Sequence, residues 1–186
     1  MKENEDSKVD VLASEYLFRE PWLTVRKDKI RLPNGVIIPD YYILEYCDWV
    51  NILAITKEHK FLMIRQYRHG SGTTNYEFCG GCVDAKDASP LAAAQRELLE
   101  ETGYGNGRWR MNMRMSANPS TSNNWTYNFI AEDVELVGEQ NLDGGECISV
   151  HLFSLDEIKQ LLENNEIIQS VHVASLWKYL AENKLL

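Results

Sequence analysis

GGCVDAKDASPLAAAQRELLEETGY, residues 80–104, carries a helix with both of its ends written into it. Ser89 suits the cap and Pro90 the first helical position, where a missing N–H costs nothing. LAAAQRELLEE is built from strong helix formers, and Gly103 supplies the stop. Glu97, Glu100 and Glu101 stand at i, i+3 and i+4, so their carboxylates leave one face of the helix together. At about 6 Å and an effective dielectric near 20, such charges repel by roughly 2–3 kcal/mol per pair. The face therefore lies in solvent or surrounds a cation, and oxygen-only clusters select hard divalent ions. An isolated E-x-x-E-E reads more readily as a solvated helix face. Here the acidic helix follows a double-glycine turn, carries Arg96 at i,i+4 to Glu100, and is Ala-rich elsewhere, as if packed closely on a sheet.

Outward from the helix, the chain alternates strand and turn signals. Residues 22–32 and 36–46 flank Pro33-Asn34-Gly35 and read as a hairpin. Residues 49–56 (WVNILAIT) and 61–67 (FLMIRQY) read as a second, more buried hairpin, with Trp49 inside its apolar run. A short extended piece at 76–79 precedes the Gly80-Gly81 turn. Further strands are predicted at 108–115, 126–132 and 147–153. Ser154-Leu155-Asp156-Glu157 forms a capping box for a helix to about Glu163, and residues 171–182 form the last helix. Residues 1–15 are polar and read as loosely held. This order predicts an α/β or α+β arrangement, a mixed sheet with helices on its faces.

With 186 residues, 44% hydrophobic and 25% charged, the chain suits one globular domain with a small appendage. Its longest apolar run is four residues, far short of the roughly 20 a membrane-spanning helix needs. The amino terminus carries neither a secretion nor an import pattern, so a cytoplasmic location is expected. A formal net charge of −9 argues against a nucleic-acid binder, although metal cations can still mediate phosphate binding. Cys47, Cys79, Cys82 and Cys147 are too dispersed for a disulfide framework and fit a reducing compartment. Cys79 and Cys82 alone have ligand-like spacing, which leaves a zinc-stabilised interaction module as a distant alternative. His59, His69, His151 and His172 read as structural or surface residues.

The 80–104 stretch resembles the Nudix box, G-x5-E-x7-R-E-U-x-E-E-x-G-U, with U a bulky apolar residue. Arg96, Glu97, Leu98, Glu100, Glu101, Gly103 and Tyr104 match its right half. In the left half, Asp87 stands at the first glutamate position and eight residues separate it from Arg96. That acid pairs with the box arginine in the family, a role open to Asp87 or Asp84. RLPNGVIIPDYYILEY, DWVNILAIT, FLMIRQYRHG, YEFCGG and the downstream Pro119 resemble the ADP-ribose pyrophosphatase branch; Cys79 stands where the branch usually has proline.

The resemblance implies a Nudix fold, a mixed β-sheet sandwiched between helices, with an amino-terminal β-hairpin arm. It divides the chain into an arm at 1–45 and a hydrolase domain at 46–186. It implies Mg²⁺, or Mn²⁺ in its place, held by Glu97, Glu100, Glu101 and the Gly81 region, and hydrolysis of the diphosphate of a nucleotide sugar. Glu100 and Glu101 take part in catalysis on this reading. Glu146, on a Gly-rich loop, is the candidate base, with Glu139 and Asp143 in reserve. Arg68 and Arg65 are candidates for holding phosphate, Glu77 for a substrate-side acid, and Trp22 or Trp125 for stacking a base. The branch also implies a homodimer, with no nucleic-acid or membrane partner. ADP-ribose, other ADP-sugars, GDP-mannose and dinucleotides remain open as substrates, as does a Nudix-fold sensor that binds without cleaving.

Overall fold

A computed structural model describes residues 8–186, and the chain divides into two compact units. The first holds residues up to Tyr46 together with Asn118–Asn124. Its strands β1 (Asp10–Glu20), β2 (Leu23–Arg31) and β3 (Ile37–Glu45) form an antiparallel sheet in that order. The predicted turn between β2 and β3 closes through Gly35 N–H to Leu32 O at 2.9 Å, with Gly35 at φ +84°. Asp28 anchors the sheet from a nearly buried position, accepting from Arg26 Nε at 2.9 Å and Ser14 Oγ at 2.7 Å. Those bonds, led by the Arg26 guanidinium, hold its carboxyl below the ordinary aspartate range. The expectation that residues 1–15 are loosely held falls partly outside the described residues, and from Asp10 onward it is replaced by β1. Every residue of β1 is exposed, so no apolar/polar alternation marks the strand in the sequence.

The second unit comprises Cys47–Ala117 and Trp125–Leu186. Its strands are β4 (Trp49–Thr56), β5 (Phe61–Arg68), β6 (Thr73–Glu77), β7 (Cys79–Cys82), β8 (Tyr104–Gly105), β9 (Arg108–Met115), β10 (Thr126–Leu136) and β11 (Ser149–Phe153). They form one sheet along the path β11-β5-β4-β10-β8, with β6 on β5, β7 on β4 and β9 on β10. The β4–β10 pair is parallel and the other pairs are antiparallel, which makes the sheet mixed as predicted. β4 is buried on both faces. Val50, Ile52 and Ala54 pack with Ala93, Ala94 and Leu98 of helix α1 (Pro90–Thr102). Leu53 and Ile55 pack on the opposite face with Ile158 of α2 (Leu155–Glu163) and with Leu176 and Leu180 of α3 (Ser170–Glu182). Small alanines on α1 let the helix lie close to the sheet, and each fully buried leucine contributes about 1.5–3 kcal/mol.

The ends of α1 are those expected. Ser89 Oγ accepts from Ala92 N–H at 3.1 Å, and Gly103, at φ +74°, donates to Leu99 O at 2.8 Å. The capping box at Ser154 and Glu157 forms in both directions.

Two local expectations are corrected. Gly80-Gly81 is the middle of strand β7, whose residues Cys79–Cys82 pair with Ile52, Asn51, Val50 and Trp49 of β4. The reason is close approach: a Cβ on Gly80 would lie 2.3 Å from Val50 O. The same pairing brings Cys82 to Cys47, and the two form a disulfide with Cα atoms 5.9 Å apart. Cys79 is buried and free, so the Cys79–Cys82 zinc pair does not exist in this fold. No helix among the described residues is long and apolar enough to cross a membrane.

Candidate active site

Strand β7 and helix α1 meet over glycine. A Cβ on Gly81 would lie 2.4 Å from Glu97 Oε1, so the carboxylate rests directly against the Gly81 backbone. One residue earlier, Gly80 N–H donates to Glu101 Oε2 at 3.0 Å. Glu101 is only 4% exposed, and burial pushes its carboxyl up to about 7, against the hydrogen bonds from Cys79 and Gly80 and with the charges of Glu97 and Glu146 adding to the rise. Burial likewise raises Glu97, partly opposed by Arg96 and reinforced by Glu100 and Glu146. Burial first, and neighbouring negative charge second, thus disfavour the ionised forms of Glu97 and Glu101, as expected of a site that takes up positive charge.

Arg96 is the hub beneath them. Its Nη1 donates to Glu97 at 2.9 Å and Glu100 at 2.8 Å, and its Nη2 donates to Cys82 O at 3.1 Å. Asp87 receives Nε at 3.1 Å and Nη2 at 2.9 Å, while Asp84 stands off at 3.9 Å. Of the two aspartates left open by the sequence, Asp87 takes the arginine. Among the described residues no three Asp, Glu, His or Cys side chains form a ready-made metal cage. The donor set still suits a hard divalent cation: it is all oxygen, partly buried and short of positive charge. Glu97, Glu101 and the exposed end of Glu100 are the residues that would hold it.

Glu146 lies on the loop before β11. Its Oε2 accepts Asp143 N–H at 3.0 Å and its own N–H donates to Asp143 O at 2.9 Å, closing a turn. Its charge is felt at Glu97, Glu101 and Arg68. The loop is tied to the end of α1 by Gln140 Nε2 to Glu101 O at 2.6 Å and by Asn141 N–H to Glu100 O at 2.9 Å.

Arg68, at the end of β5, donates through Nε and Nη2 to Glu77, at 3.0 Å and 2.6 Å for the shorter contacts. Glu77 has no solvent exposure, and its carboxylate is turned to the Arg68 guanidinium. The outer side of Arg68 lines a cleft of about 450 Å³ with Gly80, Gly81, Trp49 and His172. Arg65 is exposed on β5, with its guanidinium 5.6 Å from the Tyr76 ring, and does not line that cleft. Trp22 is 86% exposed at the β1–β2 turn of the first unit, at φ +66°. Trp125 carries Arg114 at 4.1 Å over its ring.

Sequence reasoning assigned no cleft role to three residues that line it: Trp49, read as core, His172, read as structural or surface, and Asn51, which received no reading. The available signal was polarity at buried positions. Asn51 interrupts an apolar strand, and His172 falls on the same helical stripe as Leu176 and Tyr179.

The chain matches the NUDIX domain over residues 46–173 and the Nucleoside diphosphate sugar hydrolase N-terminal domain over residues 9–44. It is 25% identical over 168 residues to an ADP-ribose pyrophosphatase of Mycobacterium tuberculosis, covering 90% of this chain and 81% of that one. It is 28% identical over 157 residues to an ADP-ribose pyrophosphatase of Bacillus subtilis, covering 84% of each. A crystal structure of an ADP compounds hydrolase superposes with a TM-score of 0.81 at 24% identity, covering 95% of this chain and 96% of that one, a likeness of fold.

Proposed function

The chain belongs to the Nudix family, and from that premise we propose that it is a hydrolase cutting the diphosphate linkage of ADP-ribose or a related nucleotide sugar, with AMP and a sugar phosphate as products. The observation that carries this reading is the placement of Glu97 and Glu101 against the Gly80-Gly81 backbone, with burial raising both carboxyls and the charges of Glu146 and Arg68 close by. The two ADP-ribose pyrophosphatases at 25% and 28% identity support the nucleotide-sugar class.

Within the proposal, Glu97, Glu100, Glu101 and the Gly81 backbone hold Mg²⁺. When bound, the cation neutralises the diphosphate and acidifies water. Arg68, fixed by Glu77, offers its free guanidinium edge to a phosphate oxygen. Glu146 accepts the proton of the attacking water, and the Gly144-Gly145 pair beside it lets the loop adjust to substrate. Arg96 keeps the carboxylates apart and in register. The domain matches support a division into an arm at 1–45 and a catalytic domain at 46–186. A homodimer is part of the proposal, supported by the exposed apolar residues Val11, Leu12, Leu17 and Phe18 on β1. Trp22, in that arm, is the proposed base-stacking residue. A cytoplasmic location is also proposed, and a Cys47–Cys82 disulfide persisting after thiol-blocked lysis would count against it.

One observation favours a second reading. Arg96 bonds both Glu97 and Glu100, so the cation has to compete with a guanidinium, and a sensor that binds without cleaving retains support. Incubation with Mg²⁺ and ADP-ribose, ADP-glucose, GDP-mannose, NADH and diadenosine polyphosphates, read by ³¹P NMR, separates the two. Release of AMP and ribose 5-phosphate is the expected result. Binding of one compound with no cleavage of any hands the site to the sensor reading.

A further inference from the structure

Glu77 holds Arg68, the Phe78 N–H holds His172 and the Gly80 N–H holds Glu101. A guanidinium, an imidazole and a carboxylate are thus anchored within roughly 10 Å of extended chain. His172, on α3, is 5% exposed, and its Nδ1 accepts the Phe78 backbone N–H at 3.3 Å. A neutral ring in that arrangement carries its proton on Nε2. Burial, with Arg68 nearby, pushes the ring down to about 3, so it is neutral at any working pH and Nε2 stays a donor. Among the described residues nothing is bonded to Nε2, and the ring lines the cleft. The start of α3 adds two more donors. Its N-cap, Gln169, makes no side-chain capping bond, and His172 N–H turns back to Gln169 O at 3.0 Å. Ser170 and Val171, the first two helical positions, have no acceptor for their N–H groups within the helix, and both line the same cleft. Glu77 occupies Nε and Nη2 of Arg68 and leaves Nη1 to other partners.

We propose that the first turn of α3, through the Ser170 and Val171 N–H groups and His172 Nε2–H, joins Arg68 in a phosphate subsite that holds the phosphate of the diphosphate next to the one over the carboxylate cluster. This rests on the nucleotide-sugar reading of the site and names the residues that hold the second phosphate. Every group assigned to the subsite is a donor. Two of the sources are also positive, the guanidinium by its charge and the helix start as the positive end of its dipole. A phosphate accepts from all of them at once, whereas a neutral hydroxyl gains little from the positive charge and spends its own hydrogen on nothing there. The buried imidazole N–H, otherwise left unpaired, gains a charged acceptor. Glu101 and Glu146 lie within electrostatic reach of Arg68, so an anion settles best here when a cation offsets those acids. A diphosphate meets that condition, with one phosphate on the cation and its neighbour on α3.

Inorganic phosphate tests the subsite without a cation or a reaction. It is titrated into the ¹⁵N-labelled full chain in EDTA and followed by ¹H–¹⁵N NMR. Saturable shifts are expected at the Ser170 and Val171 amides and at His172 Nε2–H, with none when neutral ribose is titrated. His172→Asn places an amide oxygen where Nδ1 was, keeping the Phe78 bond while deleting the Nε2 donor. It is expected to weaken phosphate binding roughly tenfold, the size of one hydrogen bond to a charged group. Ser170→Pro deletes a single backbone donor at the one helical position that accommodates proline, and Gln169 before it is already extended at φ −76° and ψ 117°. It is expected to weaken binding by a similar factor. No saturable shift at these groups in the wild type, equal shifts with ribose, or undiminished phosphate binding in either folded variant overturns the subsite. If His172→Asn does not fold, Ser170→Pro and the wild-type shifts decide. The ³¹P NMR panel reads cleavage separately: hydrolysis without phosphate shifts at α3 removes the subsite alone, and those shifts without cleavage of any compound remove the hydrolase reading alone.

Discussion

Asp87 closes on Arg96 through two parallel hydrogen bonds, 3.1 Å from Nε and 2.9 Å from Nη2, across a loop one residue longer than the Nudix pattern and with a side chain one carbon shorter. The extra backbone compensates for the missing methylene. Asp84 N–H donates to Asp87 Oδ2 at 2.9 Å and so braces the acid from within the loop. The arginine's hold on Asp87 keeps that carboxyl below the ordinary range.

Loss of that brace is expected to act on the site through Arg96. Asp87→Asn leaves one side of the guanidinium underpaired, and activity with Mg²⁺ is expected to fall roughly 10- to 100-fold, the usual effect of removing a partner that orients ligands. Asp87→Glu is expected to be milder. Steady-state rates across a Mg²⁺ titration check this, and wild-type kinetics in the Asn variant would remove the orienting role.

Glu100→Gln and Glu101→Gln are expected to lower turnover at least about a hundredfold while leaving the fold intact. For Glu101 the metal-free variant is expected to melt no lower than wild type at pH 8. A carboxyl raised to about 7 has its stabilising form below the unfolded value near 4.5 and loses it as pH rises through 7. A large drop in melting temperature at pH 8 would contradict the opposed-charge account of the cluster.

Arg68→Ala strands Glu77, which is fully buried. The cost is expected to be about 3 kcal/mol, at the low end for a broken buried pair because Arg68 itself is 42% exposed. Adding Glu77→Gln is expected to restore stability without restoring activity. Chemical denaturation of the single and double variants tests it. Equal stability of the two would mean that Glu77 finds another partner.

His172 predicts an acid limb of stability. Its ring is held at about 3 in the fold, against an ordinary value of 6.5, so the unfolded chain takes up a proton first as pH falls. Stability from this group is complete above pH 6.5 and is lost progressively toward pH 3. Between pH 6.5 and pH 5 the loss is about 2 kcal/mol. Urea melts at the two pH values, compared with His172→Asn, isolate the contribution; parallel losses in both proteins would deny it.

The thiols are expected to divide by environment. Cys147 is exposed and alkylates first, Cys79 resists because burial pushes its thiol well above the ordinary value, and Cys47 and Cys82 label only after reduction. Their bridge spans 35 residues, for which chain entropy gives at most about 4 kcal/mol of stabilisation. Mass mapping of alkylated peptides with and without reductant gives the answer.

The sequence by itself determined the elements whose signals are local. The Ser89, Pro90 and Gly103 boundaries of α1, the carboxylate stripe at Glu97, Glu100 and Glu101, the Ser154 capping box and the two-sided burial of β4 all follow from residues within one or two turns of each other. Only the tertiary structure decided what depends on pairing across distance. Gly80-Gly81 is a strand because β4 approaches within contact of its backbone, and Cys82 meets Cys47 through the same register. Glu77 faces Arg68 because β5 and β6 are antiparallel neighbours. His172 and Asn51 reach one cleft from helix and strand 121 positions apart in the chain. Period and capping are written in covalent neighbours, whereas a partner across a sheet is chosen by register, which no single segment encodes.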